Sequence, residues 1–243
     1  STAVLNHDNV VSDGFSEDVR GTLRKFSKSK KVYNGCYLNG DEIVYSEFGK
    51  ETVIMSRKDI KIPGMHNVDN YMTAICAVWG IVDNESIVSV AETFGGVAHR
   101  AEFVREIDGV RYYNDSIASS PTRTSSGTLS LYDDKIILIC GGYDKNLDYT
   151  DLGVKICEKV KHLVLLGDTA DKIEKAVKDA HNYEICGISI HRVGSMYDAV
   201  DVSRQLSENG DIVSLSPASA SFDMYKDFEA RGNHFKEIVN GLK

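Results

Sequence analysis

The spacing of hydrophobic residues changes character part-way along this chain of 243 residues. Residues 1–65 contain short runs in which apolar and polar residues alternate, and this period of two predicts a strand-rich segment. The segment opens with a strand at 2–6. It also contains a hairpin in "NGCYLNGDEIVY", with Asn39-Gly40 as its turn. Pro63-Gly64 then interrupts the pattern.

Helical spacing follows this interruption. The stretch "HNVDNYMTAICAVWGIV" repeats its apolar residues at helical intervals, and Asn67 is its predicted N-cap. A second short helix is predicted near 85–93, and it ends at Gly95-Gly96. We therefore predict a domain boundary at this point, with one domain at 1–96 and another at 97–243.

Beyond the boundary, predicted strands alternate with predicted helices. The strands are Val110 to Asn114, "KIILIC", "HLVLLG", residues 185–193 and "DIVSLS". Pro121 stands where a helix begins, a position that suits proline. Such alternation predicts an α/β fold with a Rossmann-like, mostly parallel sheet and helices on both faces.

Composition narrows the class of protein. A hydrophobic fraction of 42% is enough for a packed core, and a net charge of -8 argues against nucleic acid as a partner. The one basic cluster, Arg24 to Lys31, is interpreted as a solvated strand edge. No apolar stretch is long enough to span a membrane, and no signal peptide is recognised, so we expect no membrane partner.

The cysteines suggest the compartment of the protein, and the first residues suggest that the chain is a fragment. Five irregularly spaced cysteines without a C-x-x-C pair are interpreted as reduced thiols in a cytoplasmic protein. The chain begins with an apolar strand and no initiator Met, and we expect it to be a fragment of a longer chain, with a processed terminus as the alternative.

Polar loops follow three of the predicted strands. In an open parallel sheet, ligands bind beyond the carboxyl ends of the strands. The three loops are 114–120 ("NDSIASS"), 141–148 ("GGYDKNLD") and 216–232 ("SPASASFDMYKDFEARG"). After "HLVLLG" comes only Asp168-Thr169, which a helix cap explains. Each polar residue alone has a structural explanation as a cap or a turn, but together the loops predict one shared crevice.

The chemistry of these loops suits a small acidic molecule. Hydroxyls, helix N-terminal amides and the ammonium of Lys145 would bind a carboxylate. Asp115, which only accepts hydrogen bonds when ionised, suits ribose hydroxyls or a metal-bound water. The chain has no G-x-x-x-x-G-K-[ST] motif, and no G-x-G-x-x-G motif follows its strands. It therefore lacks a P-loop, and a nicotinamide dehydrogenase is disfavoured.

Five stretches, in this order, resemble the Mur ligases of peptidoglycan synthesis. They are "GMHNVDN", "FGGVAHRAEFV", "VRYYNDSIASS", "LICGGYDK" and "LSPASASFDMYKDFEARGNHFKE", and they run from residue 64 to residue 237. The last stretch resembles the branch of the family that adds D-glutamate. Residues 1–63 match only loosely, as the closing part of the family's central ATPase domain.

The resemblance implies an ATP-dependent amide ligase. The family fold has three domains, and this chain would hold the end of the second and the whole of the third. The substrates would be small molecules: ATP with Mg²⁺, D-glutamate and UDP-MurNAc-L-alanine. The P-loop and the metal ligands would belong to the other part. We therefore expect no metal ligand in this chain, no activity from it alone, and a monomer.

The resemblance also implies roles for individual residues. Asn67 would contact adenine, Arg100 the ATP phosphates and Asp115 the ribose. The D-glutamate pocket would comprise Ser119, Lys145, Ser221, Phe222 and Phe228. Arg100 and Lys145 would take part in catalysis. The loop departs from the commoner family pattern "NDSKATN" in having Ile117 for lysine and Ser119 for threonine, and the second change keeps the hydroxyl.

Two other functions stay open at this point. A related ligase acting on another amino acid, either another Mur ligase or one similar to folylpolyglutamate synthetase, would share the fold and the loops. A non-catalytic Rossmann module that binds an acidic metabolite would share the crevice alone. A substrate panel distinguishes the first alternative, and the sequence upstream of Ser1 distinguishes the second.

Overall fold

The computed structural model describes residues 1–62 and 64–243, so the interruption predicted at Pro63 lies outside the described residues. The chain divides into two compact units, Ser1–Gly95 and Gly96–Lys243. Each unit has its own sheet.

The first unit contains a five-stranded sheet in the order β1-β2-β3-β4-β5. Its strands are β1 (Thr2–Asn6), β2 (Thr22–Ser27), β3 (Gly35–Asn39), β4 (Glu42–Glu47) and β5 (Lys50–Ser56). The first three strands are parallel, and β3, β4 and β5 are antiparallel. The predicted strand at 2–6 is confirmed. The predicted hairpin is also confirmed, since Asn39 pairs with Glu42 across its turn.

Helices complete this unit. They are α1 (Val10–Gly14), α2 (Met65–Val78) and α3 (Asn84–Thr93). Val68, Met72 and Ile75 of α2 pack into the core over the sheet. The predicted N-cap is wrong, because α2 begins at Met65 and Asn67 lies within its first turn. The Asn67 side-chain oxygen accepts a hydrogen bond from Asn70 Nδ2 at 3.2 Å.

The basic cluster lies in a different setting from the one predicted. Strand β2 carries its first residues and pairs with β1 on one side and β3 on the other. Lys25 Nζ lies 2.7 Å from Asp13 Oδ1, and Arg24 Nη1 donates to the Cys76 carbonyl at 2.7 Å. The interpretation as a solvated edge is therefore wrong for β2, whose basic side chains have partners within the unit.

The second unit contains a six-stranded sheet in the order β10-β9-β8-β11-β7-β6. Its strands are β6 (Glu102–Ile107), β7 (Val110–Asn114), β8 (Ile136–Cys140), β9 (Val160–Leu165), β10 (Ser189–Arg192) and β11 (Ile212–Leu215). All neighbouring pairs are parallel except β6 with β7. The predicted α/β fold with a mostly parallel sheet is confirmed. The antiparallel edge strand β6 was not predicted.

Helices cover both faces of this sheet, as predicted. They are α4 (Pro121–Ser126), α5 (Thr150–Lys159), α6 (Ala170–Lys178), α7 (Tyr183–Cys186), α8 (Met196–Leu206) and α9 (Phe228–Gly241). Successive residues of a strand point to opposite faces. Leu138 accordingly belongs to the core cluster with α5 and α6, while Ile137 and Ile139 belong to the cluster with α8 and α9.

Two further properties concern the described residues as a whole. None of their helices combines the length and the apolar character needed to cross a membrane. All five cysteines are free thiols, of which four are buried and Cys186 is half-buried.

Candidate functional site

The three polar loops leave adjacent strands of the second sheet. Strands β8, β11 and β7 are parallel neighbours, so their carboxyl ends lie on one edge. Main-chain hydrogen bonds join the loops there. Gly141 N donates to Pro217 O at 2.8 Å, and Tyr143 N donates to Ala220 O at 2.9 Å. Asp115 N donates to Leu215 O at 2.8 Å. The loops are therefore in direct contact.

Gly141-Gly142 makes this contact possible. The backbone φ values are +116° and +146°, in the region that favours glycine. A Cβ on Gly142 would lie 2.2 Å from Ala220 O, and one on Gly141 would lie 1.9 Å from Leu166 O. A larger residue at Gly142 would push apart the loops after β8 and β11, and one at Gly141 would clash with the chain after β9, so these glycines do more than form a turn.

Arg231 connects the loop after β7 to the loop after β11. The sequence analysis did not single it out. Its side chain is only 2% exposed. Its Nε donates to Ser116 Oγ at 3.0 Å, and its Nη2 donates to Ser116 O at 2.9 Å and to Ser219 O at 3.1 Å. Its Nη1 donates to Ala220 O at 2.9 Å. Burial lowers the pKa of Arg231 to about 10, so it remains a cation at neutral pH.

A signal for Arg231 is present in the sequence. In α9 it shares a face with Phe228, Phe235 and Ile238, at helical spacings of three and four residues. An arginine at a core position of an amphipathic helix needs hydrogen-bond partners, and buried main-chain carbonyls provide them here.

The carboxylate of Asp115 already accepts hydrogen bonds from residues of the second unit. It is 6% exposed, and its Oδ1 accepts a hydrogen bond from Ala101 N at 3.1 Å. Its Oδ2 accepts hydrogen bonds from Thr128 Oγ1 and, at 3.4 Å, from Ser216 Oγ. Burial raises the pKa of Asp115, against the opposing effect of these bonds. The carboxylate thus holds its own loop in place, and the ribose contact stays a prediction.

Arg100 lies next to this loop. Its neighbour His99 accepts a hydrogen bond at its carbonyl from Ile117 N at 3.2 Å, and its other neighbour, Ala101, contacts Asp115. Burial raises the pKa of Asp115, and the positive charge of Arg100 offsets only part of that rise. The Arg100 side chain is exposed and forms no ion pair with any residue that the structure describes.

A buried polar cluster fixes the start of α9 against the end of β7. Asn114 Nδ2 lies 2.9 Å from His99 Nδ1 and donates to Glu102 Oε2 at 3.0 Å. Glu102 also accepts a bond from Lys236 Nζ at 3.0 Å. Burial would raise the pKa of Glu102, but its hydrogen bonds and Lys236 lower it overall. A Cβ on Gly232 would lie 2.2 Å from His99 Nδ1, so the helix passes close to this cluster.

Lys145 is exposed on an anchored loop. The preceding residue, Asp144, forms an ion pair with Lys172 of α6 at 2.5 Å. Within the described part of the chain, Lys145 itself has neither a hydrogen bond nor an ion pair. Its ammonium group is therefore free to bind an anion.

The serines of the site do not use their side chains as helix caps. Ser120 occupies the N-cap position of α4, but neither its side chain nor that of half-buried Ser119 is bonded to any residue that the structure describes. The N-cap of α9 is Asp227, whose carboxylate accepts a hydrogen bond from Ala230 N. Buried Ser221 accepts main-chain bonds from residues 224 and 225 at its carbonyl.

The two predicted phenylalanines differ in setting. Phe222 is 63% exposed, and its ring meets that of Tyr143 edge-on at 5.9 Å. Phe228 begins α9 and meets His99 edge-on at 5.9 Å. Its carbonyl accepts a hydrogen bond from Ser116 Oγ at 2.8 Å, which ties it to the loop after β7.

The structure thus brings seven of the eight predicted site residues to the second unit, on or beside its carboxyl edge. These seven are Arg100, Asp115, Ser119, Lys145, Ser221, Phe222 and Phe228. Asn67 lies in the first unit. Among the described residues, no group of three or more His, Cys, Asp or Glu side chains is arranged to hold a metal ion.

Comparisons with known proteins show which family this chain resembles. The family model described as "Mur ligase, glutamate ligase domain" matches residues 99–219. Over 242 residues the chain is 50% identical to UDP-N-acetylmuramoylalanine–D-glutamate ligase of Acetivibrio thermocellus, covering 99% of this chain and 52% of that protein. It is 47% identical to the ligase of the same name from Clostridium acetobutylicum, covering 99% of this chain and 51% of that protein.

Solved structures share the fold. E. coli FolC in complex with DHPP and ADP aligns with a TM-score of 0.66 at 14% identity, over 99% of this chain and 53% of that one. MurF from Acinetobacter baumannii aligns with a TM-score of 0.63 at 14% identity, over 98% and 52%. The chain spans about half the length of the curated relatives it matches. With the matched domain, the relatives and the shared fold in agreement, the chain belongs to the Mur ligase family.

Proposed function

We propose that this chain forms the amino-acid-binding half of an ATP-dependent ligase that joins D-glutamate to UDP-N-acetylmuramoyl-L-alanine. The second unit would bind D-glutamate, and the first unit would be the closing part of an ATP-binding domain. The relatives that are 47–50% identical carry this activity in their names and support the choice of amino acid.

The observation that carries the proposal is the meeting of three polar loops at one sheet edge. Arg231 joins the loop after β7 to the loop of Ser221. Main-chain bonds join the loop of Ser221 to the loop of Lys145, so these two loops adjoin. An exposed ammonium beside hydroxyls is a receptor for a carboxylate, and D-glutamate presents two carboxylates.

The chain's own residues would act by binding and orientation. Lys145, Ser119 and Ser221 would hold the carboxylates of D-glutamate, with Phe222 and Phe228 against its methylenes. Held in this way, the amine would be directed at the activated carbonyl carbon, and such orientation is a large part of catalysis. Arg100 would offset charge on the transferring phosphoryl group.

ATP would supply the phosphoryl group that activates the carboxylate of the L-alanyl substrate as an acyl phosphate. The amine of D-glutamate would then attack the acyl carbon, and phosphate would leave from a tetrahedral intermediate. Arg100, exposed and unpaired among the described residues, fits a phosphate. Asp115 fits a ribose hydroxyl only through the acceptor capacity that its three internal donors leave. The Mg²⁺ ligands would lie in the half that this chain does not match.

The experiment uses a chimera, in which this chain is joined to the half of the Acetivibrio thermocellus relative that it does not match. With ATP, Mg²⁺ and UDP-MurNAc-L-alanine, we expect phosphate release and product only with D-glutamate. L-glutamate, L-alanine, L-lysine and a folate acceptor are the controls. Activity with one of these in place of D-glutamate would support the related ligases, and binding of D-glutamate without ligation would support the non-catalytic module.

The 243-residue chain alone is the second arm of this experiment. We expect it to form no product, since the phosphate-binding motif lies elsewhere. Substantial ATP-dependent product from this chain would show that the other half is dispensable and would contradict the proposed division of roles. We also place the protein in the cytoplasm as a monomer, and analytical ultracentrifugation of the chimera tests the second point.

A further inference from the structure

Three buried hydroxyls form a chain beneath the candidate site. They belong to Tyr149, at the end of the loop after β8, Thr169, after β9, and Ser219, after β11, and each residue is less than 5% exposed. Tyr149 Oη lies 2.9 Å from Ser219 Oγ, and Ser219 Oγ lies 2.8 Å from Thr169 Oγ1. Thr169 Oγ1 donates to the carbonyl of Gly142 at 3.0 Å.

The number of protons available fixes the donor-to-acceptor direction along this chain of hydroxyls. Each hydroxyl donates one hydrogen, and the Gly142 carbonyl only accepts. Thr169 donates to Gly142, so it must accept from Ser219, and Ser219 must in turn accept from Tyr149. Burial raises the pKa of Tyr149, so its hydroxyl stays protonated and serves as the first donor. All three bonds are made only when Tyr149 supplies that proton.

The chain joins two loops of the candidate site at defined points. The hydroxyl chain begins at Tyr149, beside the loop of Lys145, and passes through Ser219 and Thr169. It ends at Gly142, within the loop of Lys145. Lys145 follows Gly142 by three residues, and Ser221 follows Ser219 by two. Thr169 does not use its side chain as a helix cap, although it stands at the N-cap position of α6. Its hydroxyl serves this connection.

We propose that Tyr149 is a positioning residue, which keeps Lys145 and Ser221 in register through Ser219, Thr169 and Gly142. This inference rests on the proposed function, since it assigns the register to recognition of the D-glutamate carboxylates. Tyr149 is buried in the core and would touch neither the amino acid nor ATP.

The test compares four single variants and one double variant, Tyr149→Phe with Thr169→Val, in the chimera. Tyr149→Phe removes the first donor and keeps the ring, and Thr169→Val removes the last hydroxyl, the one that donates to Gly142 O, at nearly constant volume. Thr169→Ser keeps that hydroxyl and is the conservative rescue. Tyr132→Phe is the matched control, because Tyr132 lies in the same core cluster and its buried hydroxyl has no hydrogen-bond partner among the described residues.

We expect Tyr149→Phe and Thr169→Val each to raise the KM for D-glutamate about threefold to tenfold, the factor of one net hydrogen bond. The KM for ATP should stay constant, and Thr169→Ser and Tyr132→Phe should match the parent. The rise in KM of the double variant should be smaller than the product of the two single rises, because both changes interrupt the same chain of hydroxyls. Equal effects of Tyr149→Phe and Tyr132→Phe, or equal rises in both KM values, would overturn the proposal.

A second readout separates this inference from the proposed function. In the 243-residue chain, the amide of Tyr143 is bonded to Ala220 O between the same two loops. Tyr149→Phe should speed hydrogen exchange at this amide about threefold to tenfold, and Tyr132→Phe should not. If the chimera ligates no amino acid but exchange responds in this way, the proposed function fails, and what stands is that the three hydroxyls hold the two loops together. If exchange does not respond, the positioning role fails whatever the chimera ligates.

Discussion

Replacing Arg231 should cost more stability than replacing any surface arginine of the second unit. The guanidinium makes four hydrogen bonds to the loops after β7 and β11, and three of their acceptors are buried main-chain carbonyls. Arg231→Met leaves Ser116 O and Ser219 O without partners among the described residues, while Ala220 O keeps Tyr143 N. Each buried carbonyl that loses its partner costs about 1–3 kcal/mol. Removing the buried cation recovers part of this loss, so we expect a net destabilisation of about 3 kcal/mol.

The assay is urea unfolding of the 243-residue chain, followed by far-ultraviolet circular dichroism. Trp79 is the single tryptophan and lies in the first unit, so its fluorescence serves as a reporter for that unit instead. For a unit of this size the loss corresponds to a fall in Tm of about 6–12 °C. Arg192→Met is the control. Arg192 is partly exposed and pairs with Glu174 and Asp171, and such surface pairs contribute about 0–1 kcal/mol.

Arg231→Lys provides an intermediate case. It keeps the charge, but a single ammonium cannot reach all the acceptors of the planar guanidinium, so we expect a loss between those of the parent and Arg231→Met. The reasoning is refuted if Arg231→Met costs no more than Arg192→Met.

Three further predictions concern the same unit. Lys145→Ala in the chimera should raise the KM for D-glutamate about tenfold or more and leave that for ATP unchanged, since a charge-assisted bond is lost; Lys175→Ala, at an exposed lysine of α6 that pairs with Asp179, is the control. Glu102 has a pKa below its ordinary 4.5, so its stabilisation is complete above pH 4.5 and is lost as the pH falls through the folded-state pKa. Glu102→Gln should therefore flatten the pH dependence of the unfolding free energy below pH 4.5, and an unchanged slope would count against the pairing. Gly232→Ala should destabilise the unit by about 1–3 kcal/mol through overpacking against the His99 ring. Gly241→Ala, in the same helix with no atom near its Cβ, should not destabilise it.

The sequence was sufficient for the parallel sheet of the second unit because each of its buried strands is a short apolar run between turn residues. Strand β6 was missed because "EFVREI" mixes charged and apolar residues. Its antiparallel pairing with β7 depends on tertiary contacts, which the local sequence pattern does not specify. The N-cap of α2 was misplaced because several polar residues precede the apolar periodicity, and only the backbone at Gly64 decides where the helix begins.

The candidate site was predictable as far as the loops and no further. Loops after parallel strands must meet at one edge, so the polar residues of 114–120, 141–148 and 216–232 were expected there. The bonds that join them were not predictable. The partners of Arg231 and Ser219 lie as far as 115 and 70 residues away along the chain, and no periodicity relates them. Buried arginines are also rare, so an arginine at a core position of a helical pattern is not expected from the sequence to be buried.

The most direct test of the central claim is an amide chemical-shift titration of the 243-residue chain with D-glutamate, with L-glutamate as the control. We predict that D-glutamate shifts the amides of residues 116–120, 141–146 and 219–228 together, with one dissociation constant, and that L-glutamate shifts them less. Shifts confined to the first unit, or equal shifts with both enantiomers, would contradict the assignment of the amino-acid site to this sheet edge.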